Sequence, residues 1–537
     1  MRQAPWRIFA LVVAVLAVAT GTFLVLTERP GSGAASPPAA SPSRPPTESP
    51  TVRLPDGPGG EPQTIPAVRA FHPARGQGWA PAEDVTRVVA DSDGPLDDTA
   101  DLLAGELGVR RADGDARPGD IELRLDEDAD TGREGYRLVT REHQVTITGS
   151  DEAGVFYGTR TVIQAVRAAG GLPEGTVTDR PDRPQRGMLL DIARKFYSAD
   201  WIEDRLHEMA DLKLNQLQLH LSDDQGFRVE SESHPEVVSE QHLTQDQVRH
   251  LIEVAEELHI TIIPEIDSPG HLGAVLAAHP DLQLHRADGS VTEGAIDISK
   301  PAAGRLVDDL LREYGELFPG RYLHLGGDEY VALMAADPEA TYPDLAAAAR
   351  ERYGPEAGIR DLATAWLNDR ADTARDLGKT PQVWNDGMFA GGQVRPDEDR
   401  QVAYWTGREM GAREPADYLE EGYRLLNNNS EYLYYVLGEP NGFTYPTGQR
   451  IYEEWTPDVL RGTSPVAERF RGAEHVRGGR LAVWGDRADA QTEEQVAEGI
   501  RLPLAALAQK LWNPDRPRLD WQEFTALDSR VTAPRAG

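Results

Sequence analysis

The chain has 537 residues and a formal net charge of −34, from 55 Lys and Arg against 89 Asp and Glu. That balance excludes the basic surfaces that nucleic acids and anionic lipid headgroups require, and it fits a neutral or cationic ligand. There is no cysteine, so disulfides, thiolate metal sites, cysteine nucleophiles and lipid-anchored cysteines are excluded as well.

In chain order, Arg2 and Arg7 precede an apolar run of 19 residues from Ile8 to Leu26. A charged start followed by an apolar segment is the pattern of a secretion signal, and Ala17–Ala19 offers a small-residue cleavage site. The run is also long enough to span a bilayer, which takes about 17–25 residues. Residues 1–29 therefore read as a signal peptide or an N-terminal membrane anchor. Either way the remainder is exported, and the expected location is secreted or extracellular, with residues 8–26 as the membrane tether if the segment is retained. Residues 30–62 are rich in Pro, Ser and Ala and cannot build a core, so they are expected to form an extended linker.

Residues 63–182 mix short strands and helices. The stretch "YRLVTREHQVTITGS" alternates as two strands around a polar turn, and "EAGVFYGTRTVIQAVRAA" is an amphipathic helix with Phe156, Val162, Ile163 and Val166 near one face. This is expected to be a small α+β domain without chemistry of its own. From residue 183 to 537 the rhythm changes. Eight short strand candidates, "RGMLLDIA", "QLQLHLSD", "TIIPEID", "YLHLGGDE", "TPQVWND", "RQVAYW", "YRLLNNN" and "GRLAVWGD", are interspersed with helical stretches, the last being "TEEQVAEGIRLPLAALAQKLW". The fold expected is α/β, a (β/α)8 barrel, with strands that read as near-continuously apolar.

Functional groups on this fold sit at the C-terminal ends of the strands. Those ends carry Asp191 and Arg194; His220, Asp223 and Asp224; Asp267 and His271; Asp328 and Glu329; Trp384, Asn385 and Asp386; Trp405; Asn429 and Ser430; Trp484 and Asp486. Acids there can be helix caps, but indoles ringed with carboxylates and an Arg suit a sugar, whose C–H faces stack on the rings while its hydroxyls take hydrogen bonds. In "RYLHLGGDEY", adjacent Asp328 and Glu329 could face one cavity only if Gly326 and Gly327 turn the backbone out of the strand. A barrel metallohydrolase using His220, Asp223, Asp267, His271, His324 and Asp328 is the rival reading. The first strand lacks an H-x-H pair, no H-E-x-x-H occurs, and a metal does not call for the tryptophans. A binding module on an inactive barrel would have no need of the acid pair.

The ordered motifs "LDIAR", "LHLSDDQGFR", "IIPEIDSPGH", "HLGGDE", "VWND", "AYW" and "VWGD" resemble the β-N-acetylhexosaminidases of glycoside hydrolase family 20, and "GVFYGTRTVIQ" is similar to that family's N-terminal domain. The resemblance implies a retaining exo-glycosidase acting on N-acetylhexosamine-containing glycans or chitin oligomers, without cofactor or metal. Glu329 would be the general acid/base. Asp328 would hold the acetamide N–H while the substrate's own acetamide oxygen attacks C1 to form an oxazolinium ion. Asp223 and His271 would support Glu329, Asp267 would support Asp328, and Tyr432 would donate to the acetamide oxygen. Arg194 would bind hydroxyls, and Trp384, Trp405 and Trp484 would wall the pocket. Burial and neighbouring negative charge are expected to raise the Glu329 pKa. Two departures stand out: Tyr432-Leu433-Tyr434 where many members have Tyr-Leu-Asp, and Trp484-Gly485-Asp486 where many have Trp-x-Glu, both at positions that help bind O4 and O6. They leave open a lacto-N-biosidase activity releasing a disaccharide, whereas Arg194 favours release of a monosaccharide.

Overall fold

The computed structural model describes residues 54–409, 412–515 and 518–532. The leader expected over residues 1–29, and the linker as far as residue 53, lie outside the described residues. Among the described residues no helix is long and apolar enough to cross a membrane.

A seven-stranded mixed sheet precedes the barrel. Its hairpin is the one expected: Tyr136–Arg141 runs antiparallel to Gln144–Gly149. The two turn residues, Glu142 and His143, have φ of 52° and 60°, the left-handed pair that a tight hairpin needs. Helix Glu152–Ala169 starts at Asp151, whose carboxylate accepts from Gly154 N at 2.8 Å, and buries Phe156, Val162 and Ile163. It lies so close to the sheet that a Cβ on Gly158 would come within 2.4 Å of Ile147. Residues 54–62, read above as the end of the linker, are already docked. Gly57 N donates to Gln77 O at 2.7 Å, and a side chain at Gly57 would strike the Trp79 backbone.

The barrel strands are Gln185–Asp191, Gln216–His220, Thr261–Glu265, Tyr322–His324, Thr380–Trp384, Gln401–Tyr404, Arg424–Asn427 and Val476–Trp484. Each is parallel to the next, and the eighth pairs with the first, closing the ring. A short extra strand, Tyr434–Val436, adds to the upper end of the eighth. Helices Ala199–Asp211, Gln245–Glu257, Pro301–Leu317, Ile359–Asp376 and Glu493–Trp512 pack outside. The fifth connection carries only the turn Asn385–Gly387, and a further helix, Trp521–Val531, follows the one expected to be last.

The barrel interior departs from the apolar expectation. Inward positions carry Gln185, Gln216, Gln218, Gln382, Gln401 and Arg480, all buried. Arg480 Nη2 donates to Gln216 at 2.8 Å and Gln382 at 3.0 Å, and its other terminal nitrogen reaches Gln218. Burial pulls its pKa down to about 9. The outward positions, such as Leu217, Leu219 and Ile262, supply the apolar contacts. A period-two pattern of Gln and Leu hides this polar column inside strands that look hydrophobic on average.

The two domains are joined by buried charge. Lys213 Nζ lies 3.2 Å from Asp179 and donates to Tyr136 and Thr161 at 3.0 and 2.9 Å, while Trp512 Nε1 donates to the other Asp179 oxygen at 2.9 Å. Breaking a buried pair from one side leaves an uncompensated charge, so Asp179→Ala is expected to lower stability by about 3–5 kcal/mol. Urea unfolding at pH 7 checks this, and a change under about 1 kcal/mol would show that the joint is unimportant.

Candidate active site

A cavity of about 570 Å³ opens at the C-terminal ends of the barrel strands, lined among others by Arg194, Asp267, His271, Asp328, Glu329 and Asp486. The turn after the fourth strand explains the adjacent acids. Gly326, Gly327 and Glu329 have φ of 68°, 103° and 48°. Gly326 tolerates no side chain, since a Cβ would lie 1.6 Å from Asp267 Oδ1, the atom that accepts from Gly327 N at 3.0 Å. Asp386 accepts from Glu329 N at 3.2 Å and fixes the last bend. The left-handed residues rotate the chain so that Asp328 and Glu329 both face the cavity, which a regular strand forbids.

Behind Glu329 stands a chain of charges. Glu265, fully buried, lies 3.1 Å from His220 Nδ1 and 3.1 Å from His324 Nδ1, and accepts from Trp384 Nε1 at 2.8 Å and Gln218 at 2.7 Å. His220 Nε2 reaches Asp223 at 2.9 Å. Asp223 also meets Arg194 Nη2 at 2.7 Å and His271 Nδ1 at 3.2 Å. His271 Nε2 lies 3.6 Å from Glu329 and 3.8 Å from Asp328. Burial disfavours charge on both imidazoles, but Glu265 and Asp223 around His220, and Asp223 and Glu329 around His271, hold both pKa values well above the usual histidine range. Desolvation likewise opposes the Asp223 anion, yet His271, His220 and Arg194 keep its pKa well below the carboxylate range.

The acids in the cavity divide. Burial and the neighbouring Asp328 push Asp267 well up. Asp328 is raised by its own burial, offset by His271 and by a hydrogen bond from Asp267. Both carboxyls are pushed up, Asp267 the further, so the two titrate as a coupled pair. Glu329 behaves opposite to expectation. The hydrogen bond from His271 outweighs burial, and its pKa falls below the ordinary value. The sequence reading placed His271 beside Glu329 but did not foresee that it is held as a cation.

Of the residues expected here, Arg194, Asp267, His271, Asp328, Glu329, Trp405, Trp484 and Asp486 line the cavity. Asp223 stands behind Arg194. Arg194 is braced by Asp191 at 2.9 Å and lies 5.3 Å from the Trp484 ring. Trp384, 1% exposed, lies beneath the wall, its ring 6.0 Å from Trp484. Tyr432 is a correction. Its hydroxyl donates to Glu454 at 3.3 Å and its ring lies under the Arg450 guanidinium, and it is Tyr434, not Tyr432, that lines the cavity. The cavity tyrosine is Tyr434, stacked on Trp405 at 5.6 Å and 6°. Burial raises its pKa well up, with Asp328 adding to the effect. Val436, two residues on and on the same strand face, also lines the cavity, as does Phe443. The extra strand's period of two would have selected Tyr434 with Val436, had Tyr434–Val436 been read as a strand. Glu265 was missed, and Asp386 was noted at the end of its strand but given no role. Glu265 was visible as a lone acid inside "TIIPEID". Asp386, which accepts from Trp405 Nε1 at 2.8 Å, shows its role only in three dimensions.

Two groups here have metal-ligand spacing, His220–Glu265–Asp267 and Asp267–His271–Asp328. In the first, both Glu265 oxygens already accept hydrogen bonds from Trp384 and Gln218. In the second, Asp267 already accepts from Gly327 N, and a cation would compete with His271 for Asp328.

Residues 184–515 match the family description "Glycosyl hydrolase family 20, catalytic domain", and residues 61–180 match "Glycosyl hydrolase family 20, domain 2". The lacto-N-biosidase of Bifidobacterium bifidum is 30% identical over 484 residues, 88% of this chain, and this chain spans 42% of that protein's length. The beta-N-acetylhexosaminidase of Cellulomonas fimi is 28% identical over 467 residues, covering 79% of this chain and 84% of that one. Among solved structures, a mutant Streptomyces plicatus beta-hexosaminidase in complex with its product GlcNAc is 26% identical with a TM-score of 0.70, covering 89% of this chain and 95% of that one.

The imidazolium beside Glu329 sets a pH dependence. A general acid acts in its protonated form, so activity is lost as pH rises through its pKa. Removing the cation raises that pKa. His271→Gln is therefore expected to move the alkaline limb of kcat/KM to higher pH while lowering its plateau. An unmoved limb in a pH–rate profile would show that His271 does not set the Glu329 proton affinity.

Proposed function

The chain belongs to glycosyl hydrolase family 20, and on that premise we propose that it is an exo-acting retaining β-N-acetylhexosaminidase that uses the substrate's acetamide as nucleophile. The observation that carries this reading is the left-handed turn at Gly326–Glu329, which aims two adjacent carboxylates into one cavity. Asp328 accepts the acetamide N–H and balances charge as the acetamide oxygen closes on C1. Tyr434, rather than Tyr432, donates to that oxygen. Glu329 takes up a proton and delivers it to the leaving oxygen. A sugar bound over the site excludes water, which strengthens the negative field of Asp223 and Asp328 at Glu329 and favours its protonated form. Arg194, Trp405 and Trp484 hold the ring. Residues 8–26 support export of the enzyme to the cell exterior, and fractionation of cells followed by an N-terminal peptide map distinguishes a cleaved signal from a retained anchor.

A second reading rests on the corrected register. If Tyr434 is the acetamide donor, the position two residues later, where an acid would serve O4 or O6, is Val436. Together with the short Asp486 and a cavity of about 570 Å³, larger than one pyranose fills, this suits a lacto-N-biosidase that keeps a galactose on the reacting N-acetylglucosamine. Intact Arg194 favours the monosaccharide. Rates on the aryl glycosides of GlcNAc, GalNAc and lacto-N-biose decide between the two: activity confined to the disaccharide would select the second reading.

Glu329→Gln is expected to lower turnover about 10²–10⁴-fold on poor leaving groups and much less on activated aryl glycosides. Equal losses on both would remove Glu329 from the acid role. An aryl glucoside, which lacks the acetamide, should be nearly inert, and a GlcNAc thiazoline should inhibit strongly as a mimic of the bicyclic intermediate. A covalent adduct on Asp328, trapped with a 2-fluoro sugar and seen by intact mass, would replace the substrate-assisted route with a direct nucleophile. Turnover well below the melting temperature should survive EDTA dialysis, and loss restored by Zn²⁺ would instead implicate a catalytic metal.

A further inference from the structure

Outside the cavity, the described residues hold one more group with metal-ligand spacing: His234, Glu236 and His279. His234 precedes the turn Pro235–Val237, in the connection after the second barrel strand, and His279 ends helix Gly273–Ala278, in the connection after the third. We propose that these three side chains form a surface site for a Zn²⁺-like divalent transition metal that clips the two connections together. This role is separate from the glycosidase chemistry.

The geometry converges on one point. Glu236 Oε1 lies 2.9 Å from His234 Nδ1 and 2.9 Å from His279 Nε2, and all three donor atoms lie within 4.8 Å of one another. Tetrahedral Zn²⁺ at about 2.0–2.1 Å from its ligands needs donors roughly 3.3 Å apart, which small side-chain rotations supply. The two rings meet edge-on, 5.9 Å apart at 82°, so neither blocks the other's lone pair. His234 Nε2 faces Asp309 at 3.7 Å, the carboxylate partner that orients a ligating imidazole. Side-chain exposures of 18%, 43% and 24% leave the point reachable by an ion and by the water that would complete its shell. Two imidazoles and one carboxylate select Zn²⁺, Co²⁺, Ni²⁺ or Cu²⁺ over Mg²⁺ and Ca²⁺, which prefer all-oxygen shells.

The clip has a structural logic. The second-strand connection begins with Asp223 and Asp224, and the third-strand connection carries His271. Near the barrel the two are tied by Gly273 N donating to Asp224 at 2.9 Å. A metal at His234–Glu236–His279 would tie them a second time.

The test uses the intact chain after EDTA dialysis, titrated with Zn²⁺ by calorimetry and by thermal unfolding. One saturable ion per chain and a rise in Tm of about 3 °C at hundredfold excess over Kd are expected. His234→Ala and His279→Ala should each weaken binding at least about tenfold, with turnover at 25 °C unchanged. His250→Ala, which removes a histidine paired with the single acid Glu203, should change neither. No saturable binding would overturn the proposal. So would binding that survives the His234→Ala/His279→Ala double variant. An ion that inhibits turnover and is displaced by a thiazoline inhibitor would belong to Asp267–His271–Asp328 and would equally overturn it. Failure of the glycosidase reading leaves the Zn²⁺ titration unaffected.

Discussion

The upper half of the barrel depends on one buried carboxylate. Glu265 has no exposed surface, and an isolated anion there would be neutralised by a proton. It stays charged because four donors from neighbouring strands converge on it: His220 and Gln218 of the second, His324 of the fourth and Trp384 of the fifth. Desolvation opposes its charge, but His324 and His220 bring its pKa well below the carboxylate range. Meeting that demand fixes the rotamers of two histidines and one indole. His220 then presents its other nitrogen to Asp223, and Trp384 backs Trp484. The alternating charges, Glu265, His220, Asp223, His271, Glu329, define the position of Glu329 from the barrel core outward, beginning on two strands and passing into the connections that follow them.

The same network explains why Glu329 holds a lower pKa than its burial predicts. A free site in which the acid is ionised and paired with an imidazolium is stable, because the two charges compensate in a poorly solvated space. His271 and Asp267, whose pKa values are both raised, are neighbours of the two cavity carboxylates, with His271 Nε2 3.6 Å from Glu329 and 3.8 Å from Asp328. Asp223, Asp267, His271, Asp328 and Glu329 therefore form one electrostatically coupled cluster. No single residue's pKa describes it.

Much of the fold was legible because it rests on periodicity. Runs such as "RGMLLDIA" and "TIIPEID" could only be buried strands, and eight of them fit a closed parallel ring. Site residues at strand ends, including Asp328, Glu329, His271 and Arg194, were legible because the barrel puts every strand end on one rim. The polar interior column was hidden, since Gln216 and Gln218 alternate with Leu217 and Leu219 and the average is apolar. Tyr432 was taken in place of Tyr434 because the extra strand, Tyr434–Val436, has only three residues, too few for its alternation to separate the neighbouring tyrosines. His271 was named as a support of Glu329, but its effect was not legible, because the charge it carries depends on Asp223 and on burial that only the folded site shows.

That three-residue strand couples chemistry to selectivity. Tyr434 and Val436 must share a face, since side chains in a strand alternate, and Tyr435 must point away; its hydroxyl reaches Gln491 at 3.0 Å. Pairing of Tyr434 with Ala482 and Val436 with Trp484 sets the register against the eighth strand. A slip of one residue would carry the tyrosine out of the cavity and bring Tyr435 in, without the Trp405 stack that orients it. The register that positions a donor for the acetamide therefore also places an apolar side chain two residues further along the sugar. The wall beyond it is Phe443, stacked on Tyr434 at 6.0 Å and 22° and delivered by a loop with Glu439 and Asn441 at φ of 50° and 55°. Tyr434 and the apolar cavity wall at Val436 are fixed by the same three backbone pairings, so neither can be changed by moving the strand without disturbing the other.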